Sequence, residues 1–321
     1  MKKTILIVVS LLTSILLASE FTVKTNPYFH DAEFECVALC GDVLLIGGDD
    51  EHIHRSLDLG KSWSSQKLRG VNGDVDVIFQ AKNGVILAGM NEWDAHYIAI
   101  STDKGASWAR VYKDNSIEIH CMFERNDGTI VGFGDDDVYV SSSTDYRDWD
   151  EIKRPWIKES PEYEEIDIPA AKVLPDGNVL IVGEDGFYAC YDQAMKKRFY
   201  GNTMINGSCD FTTLFLMPDS VLFAGTEDGY LMKSSDRGKT WNLDYSDPLH
   251  KEEITGISFN NSGDGVAVGH KGLLFVTQDW GKSWKRIDSK TIENLEDVVT
   301  LDENTFFSVG DNGISLSIVV K

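Results

Sequence analysis

The sequence is short of positive charge, of proline and of long apolar runs. Of its 321 residues, 30 are Lys or Arg against 52 Asp or Glu, a formal net charge of −22. An excess of that size repels nucleic-acid phosphates and anionic lipid surfaces, which excludes a general nucleic-acid binder. Hydrophobic residues make up 42% of the chain, with 28 glycines against 7 prolines, enough apolar material for a large packed core rather than a disordered chain. The one sustained apolar run, Ile5 to Leu17, falls short of the roughly 20 residues of a membrane span. It follows Lys2 and Lys3 and gives way at once to Ser19 and Glu20, so residues 1–19 read as a secretory signal peptide cleaved after Ala18 or Ser19. The expectation is an exported protein, periplasmic or extracellular, with no membrane span in the mature chain. No cysteine lies near that junction, which argues against a lipoprotein anchor.

Nor does the sequence hold an even set of cysteines. Cys36, Cys40, Cys121, Cys190 and Cys209 number five, so at least one is free or paired between molecules. Cys36 and Cys40 fall in one expected strand, where roughly 13 Å separates such Cα atoms, too far for a disulfide. Most should be buried as small apolar side chains. Missing too are G-x-S-x-G, H-E-x-x-H and paired C-x-x-C motifs.

What the chain has is a repeat. Ser56-Leu-Asp58-Leu-Gly60-Lys-Ser62-Trp63 recurs from Ser101 to Trp108 around Asp103, from Ser234 to Trp241 around Asp236 and from Thr277 to Trp284 around Asp279. A damaged copy around Asp145 runs from Ser143 to Trp149, one residue short and without its glycine. The tryptophans stand 45, 41, 92 and 43 residues apart, and 92 is two periods. A second marker, an apolar strand ending in glycine, occurs seven times, at Gly47, Gly89, Gly134, Gly183, Gly225, Gly269 and Gly310. Its mean spacing is near 44, so residues 20–321 are repeat throughout and form one domain.

Each unit reads as four short antiparallel strands separated by turns. In the sixth, Ile254 to Phe259, Gly265 to Val268, Leu273 to Thr277 and Trp284 to Ile287 are the strands. No helical period occurs, and the expected fold is an all-β, seven-bladed β-propeller of four-stranded antiparallel blades. The seventh repeat offers only three strands before Lys321, while Phe21 to Lys24 stands unused. This N-terminal segment is expected to supply the missing strand and close the ring.

The recurrent octapeptide matches the Asp-box, or BNR repeat. It is a turn device: the aspartate accepts backbone N–H groups, the glycine takes positive φ and the tryptophan is buried. Asp58, Asp103, Asp145, Asp236 and Asp279 are therefore structural, not catalytic. Gly60-Lys61-Ser62, Gly238-Lys239-Thr240 and Gly281-Lys282-Ser283 mimic the end of a phosphate-binding loop, but the glycine needed five positions earlier is Arg55, Lys233 or Val276. In length, single-domain build, leader and blade number, residues 20–321 resemble the exported or lumenal photosystem II assembly and stability factors among Asp-box propellers. The resemblance is one of architecture, and it implies a non-catalytic protein-binding or assembly module without cofactor.

The alternative is a glycoside hydrolase or carbohydrate-binding propeller. Sialidase-type chemistry needs three arginines converging from inner strands, and no such triad can be assembled here. A glycosidase needs two facing carboxylates, and acids are too abundant for any pair to stand out. His52 and His54, and His96 at a similar place in the second repeat, with Asp49, Asp50 and Asp94 nearby, allow a metal site to be drawn; solvated loop residues explain them as well, and no metal is expected.

The acids themselves form a pattern. At the start of each expected innermost strand stand Glu35, Asp76, Glu118, Glu165 with Asp167, Asp210, Glu253 and Asp297. Strand alternation places them on one face around the central channel, opposite the Asp-boxes. Trp93 and Trp156 lie in enlarged segments of that face and are candidate contact residues. Together these residues are expected to dock a basic protein segment or an envelope protein.

Overall fold

A computed structural model describes residues 21–321 except 27–28, 30–31, 50, 70–72, 94, 116–117, 135–137, 154–165, 205–208, 248 and 250. The expected leader, residues 1–19, lies outside the described residues, as do Trp156 and Glu165. The described chain forms seven antiparallel sheets of four strands each. Within a blade the strands are lettered a, nearest the axis, to d at the rim.

The seven a strands are Phe34–Cys40, Asp74–Gln80, Cys121–Glu124, Ala170–Val173, Phe211–Leu216, Ile254–Phe259 and Leu295–Thr300. Each touches the a strand of the next blade, and the last touches the first. Strand a of every blade starts on one face, here called the mouth face. Antiparallel order then puts the b–c turns and the d-to-a connectors on the mouth face, and the c–d turns on the opposite one.

Seven apolar clusters hold the ring, one in each interface between blades. A middle strand is therefore buried on both faces. That is why Leu222–Thr226 and Leu273–Thr277 read as unbroken runs and are buried at every position, where a sheet with one wet face would alternate. All five cysteines are free and buried in these interfaces or beside the channel.

Closure follows the sequence. Phe21–Thr25 pairs antiparallel with Ser315–Val320, from Phe21 opposite Val320 to Thr25 opposite Leu316. Phe21 and Val23 pack onto the cluster between blades six and seven. Blade seven needs no c–d turn, because the two termini meet in its sheet.

The Asp-boxes make those c–d turns. In blade six Asp279 accepts Ser283 N–H at 2.9 Å, Ser283 Oγ–H at 2.6 Å and Thr277 Oγ–H at 2.8 Å. Thr277 Oγ in turn accepts Gly281 N–H at 3.1 Å. Two consecutive residues are left-handed, Trp280 at φ 64° and Gly281 at 68°. A side chain at Gly281 would also strike Phe223 in strand b of blade five, 2.3 Å from the ring. The box thus staples one blade to its predecessor as well as turning the chain. Trp241 and Trp284 are buried as expected, whereas Trp63, Trp108 and Trp149 are only half-buried against their interface clusters. The box missing from blade four is replaced by a turn on Asp192, which accepts the N–H groups of Ala194 and Lys196. Asp279→Ala removes four acceptor contacts while leaving the donors partly wetted, so it should cost about 1–2 kcal/mol, measured by urea denaturation, with no effect on ligand binding at the opposite face; a loss under about 0.5 kcal/mol would mean the box is not a staple.

Candidate functional site

The mouth is built by one backbone pattern repeated round the ring. Each a strand enters through a fully buried anchor: Phe34, Val75, Ile119, Ile168, Phe211, Ile254 and Leu295 are all 0–2% exposed. In blades one, two, five, six and seven the register shifts by one residue just after the anchor, a β-bulge. The extra residue is Glu35, Asp76, Thr212, Thr255 or Glu296, and the bulge directs it at the channel instead of into an interface.

The anchor also locks blade to blade, since its carbonyl accepts a side-chain donor from the blade before. Cys36 Sγ–H donates to Val75 O at 3.2 Å, Thr255 Oγ–H to Leu295 O at 2.6 Å, and Thr212 Oγ–H to Ile254 O. Asn91 donates to Ile119 O at 3.3 Å and accepts Ile119 N–H at 3.1 Å, with its amide also donating to Asp76. His96 is buried against Asn91 at 3.2 Å, so it belongs to this lock and is not a solvated loop residue.

A third set of mouth residues follows the end of strand b, which is glycine in blades one, six and seven and Gly225-Thr226 in blade five. The N–H groups of Asp49, Glu227, His270 and Asp311 donate to the carbonyls of Glu33, Asp210, Glu253 and Asn294, each the residue before an anchor, at 3.0–3.1 Å. Close approach of these carbonyls explains the recurrent glycine: a Cβ at Gly269 would lie 1.8 Å from Glu253 O, and one at Gly310 2.0 Å from Asn294 O.

The result is a cavity of about 820 Å³ on the axis. Glu35, Asp76, Asp167, Asp210, Glu253 and Asp297 from the expected set all line it, joined by Glu184, Glu227 and Glu296. Lys172 is the one lysine there, and no arginine among the described residues takes part. Glu118 stays outside the lining and faces His120 at 3.5 Å, with His120 taking its place at the wall. Sequence spacing did not separate these two, since Asp167, Asp210 and Glu253 hold the same position before their anchors and do line the cavity. Trp93 is 98% exposed in the b–c turn of blade two, on the mouth face as expected.

Crowded carboxylates in a confined space resist ionisation. Burial pushes Glu35 up to about 8, with Asp76 and Glu296 adding to it. Burial raises Asp76 to about 7 against the opposing hydrogen bond from Asn91, and raises Asp311 to about 6. Asp297 reaches about 6 through burial although it accepts Val37 N–H at 2.9 Å and Val298 N–H at 2.7 Å. Its carboxylate therefore clamps blade seven to blade one, a structural duty that its place among the channel acids does not reveal. Lys172 is wetted by the channel yet surrounded by protein, and that confinement lowers its pKa.

His270 lies between Glu253 at 3.3 Å and Glu296 at 3.5 Å. The hydrogen bond to Glu296 raises its pKa, and the neighbouring Glu253 carboxylate favours the protonated ring as well. At the rim of blade one, His52 and His54 stack 6.2 Å apart. His54 packs on Phe29 and Phe34, meets Ser65 Oγ at 2.5 Å and is pushed down to about 4 by burial and by His52. Among the described residues no group of three or more His, Cys, Asp or Glu side chains is arranged to hold a metal ion.

This architecture is shared widely. YCF48 from Cyanidioschyzon merolae superposes with a TM-score of 0.72 at 14% identity, over 92% of this chain and 98% of that one. YCF48 bound to D1 peptide gives 0.72 at 15% identity, over 94% and 96%. A streptogramin B lyase gives 0.78 at 10% identity, over 94% and 98%, so the fold alone does not set the chemistry. No curated protein matches the sequence. The model of the photosynthesis system II assembly factor YCF48 family matches residues 20–276, most of the chain, and the protein belongs to that family.

Proposed function

We propose that this chain is an exported, non-catalytic assembly propeller that docks a basic protein segment on its acidic channel mouth. The observation that carries the reading is the cavity itself: nine carboxylates from the blades converge on it against one lysine. A cationic side chain entering it would relieve repulsion that the folded protein otherwise sustains. Family membership, and a YCF48 propeller that binds a peptide, support a binding rather than a chemical role. Export rests on the lysine-led apolar segment at the N-terminus.

The test is titration of the protein with octalysine. Asp167→Asn, Asp210→Asn and Glu253→Gln combined should weaken binding about 10-fold at low salt and flatten its salt dependence. Unchanged affinity and an unchanged salt response would overturn the acidic mouth as the docking site.

A further inference from the structure

The most exposed apolar side chains of the ring share a face with the acids, while Leu57 at 61% lies on the opposite face in the c–d turn of blade one. Among the described residues the three most exposed large apolar side chains are Trp93 at 98%, Leu249 at 86% and Ile292 at 84%. Trp93 sits in the b–c turn of blade two. Leu249 lies in the connector from blade five to six and Ile292 in that from six to seven. All three turns belong to the mouth face, and Met204, 55% exposed in the connector from blade four to five, belongs to it too.

Single exposed apolar residues are ordinary, but here their order round the ring matters. Met204, Leu249 and Ile292 occupy three successive connectors and form an arc over blades five to seven. In a ring of seven, blade two stands across the axis from the join of blades five and six. Trp93 therefore faces the arc, and the acid-lined cavity lies between them. Protein interfaces ordinarily put apolar contacts at the centre and polar groups at the rim; this face has charge at the centre and apolar anchors at the two ends of a diameter.

We infer that the partner of this face is an extended protein segment with basic residues in its middle and apolar residues at both ends, lying across the mouth from Trp93 to the Leu249–Ile292 arc. The inference rests on the proposed docking of a basic segment and adds its apolar flanks. Charge complementarity selects the middle of the segment. The exposed aromatic and aliphatic side chains select its ends, because burying them against apolar partners removes surface from water that the isolated ring leaves wet.

Two fluorescein-labelled peptides of about 14 residues test it by anisotropy, both with four central lysines, one ending in Leu-Phe pairs and the other in Ser-Ser pairs. The apolar-ended peptide should bind about 10-fold more tightly. Trp93→Ser combined with Ile292→Ser should erase that gain and leave the serine-ended peptide at its original affinity. Both side chains are exposed, so the double variant folds as the parent does, which an unchanged melting curve verifies. Equal affinity of the two peptides for the parent protein, or a gain that survives in the double variant, would overturn the apolar flanks while leaving the acidic mouth standing. Failure of both peptides to bind would remove the basic-segment reading and this inference with it.

Discussion

Removal of residues 21–25 should lower stability by about 3–5 kcal/mol and the melting temperature by roughly 5–10 °C. The segment forms the outer strand of blade seven and pairs at five positions with Ser315–Val320. Its loss uncovers Ile318 and Val320, now 0% and 8% exposed, and withdraws Phe21 and Val23 from the cluster between blades six and seven. Burial of those side chains and the ladder hydrogen bonds outweigh the entropy of ordering five residues. The open edge would also pair with other chains, so the truncated protein should associate at concentrations where the parent stays dispersed. Differential scanning calorimetry with light scattering reads both effects. A truncated chain that melts at the parent's temperature would show that the ring is held by the blade interfaces alone.

Acidification should stabilise the ring. Glu35 titrates near 8 in the folded protein against 4.5 for the free side chain, and Asp76 near 7 against 3.8. The folded state thus binds these protons more tightly than the unfolded chain. The penalty of ionised Glu35 is fully present above about pH 8 and fades as pH falls towards 4.5, so unfolding free energy rises in that direction. Asp297 and Asp311 act with the same sign at lower pH. Water in the channel screens part of the effect, which leaves about 2 kcal/mol for Glu35. Glu35→Gln should accordingly stabilise the protein by about 2 kcal/mol at pH 8.5 and by under about 1 kcal/mol at pH 5. Chemical denaturation at the two pH values measures this. A variant that gains nothing at pH 8.5 would show that Glu35 is solvated there as an ordinary surface acid.

The ring was legible in the sequence because its determinants are local and periodic. An Asp-box every 44 residues or so marks the c–d turn, and the glycine that ends strand b marks a close approach of two strands. The spare segment at Phe21 disclosed the closure because strand number per blade is fixed. The mouth was legible only in part. Glu35 and Asp76 line the cavity because a bulge displaces them, and a bulge leaves no trace in hydropathy. One residue further, Asp297 has the same chemical type and the same apparent place, yet its carboxylate is committed to Val37 and Val298. Glu118 and His120 exchange roles without a trace in the spacing, since Asp167, Asp210 and Glu253 stand before their anchors as Glu118 does and yet reach the cavity. His96 looked like a loop residue because its partner, Asn91, lies five positions away and itself bridges two blades.

The shared sheet of blade seven also fixes an order of events during synthesis. Phe21 and Val320 are partners, although 299 residues separate them. Blades two to six can each settle on the preceding blade as they emerge, using contacts within about two repeats. The seventh cannot be finished until Ser315–Val320 has been made, while its outer strand, Phe21–Thr25, precedes all the others. The nascent propeller is thus an open arc with two unsatisfied ends, and it becomes a ring in a single terminal step.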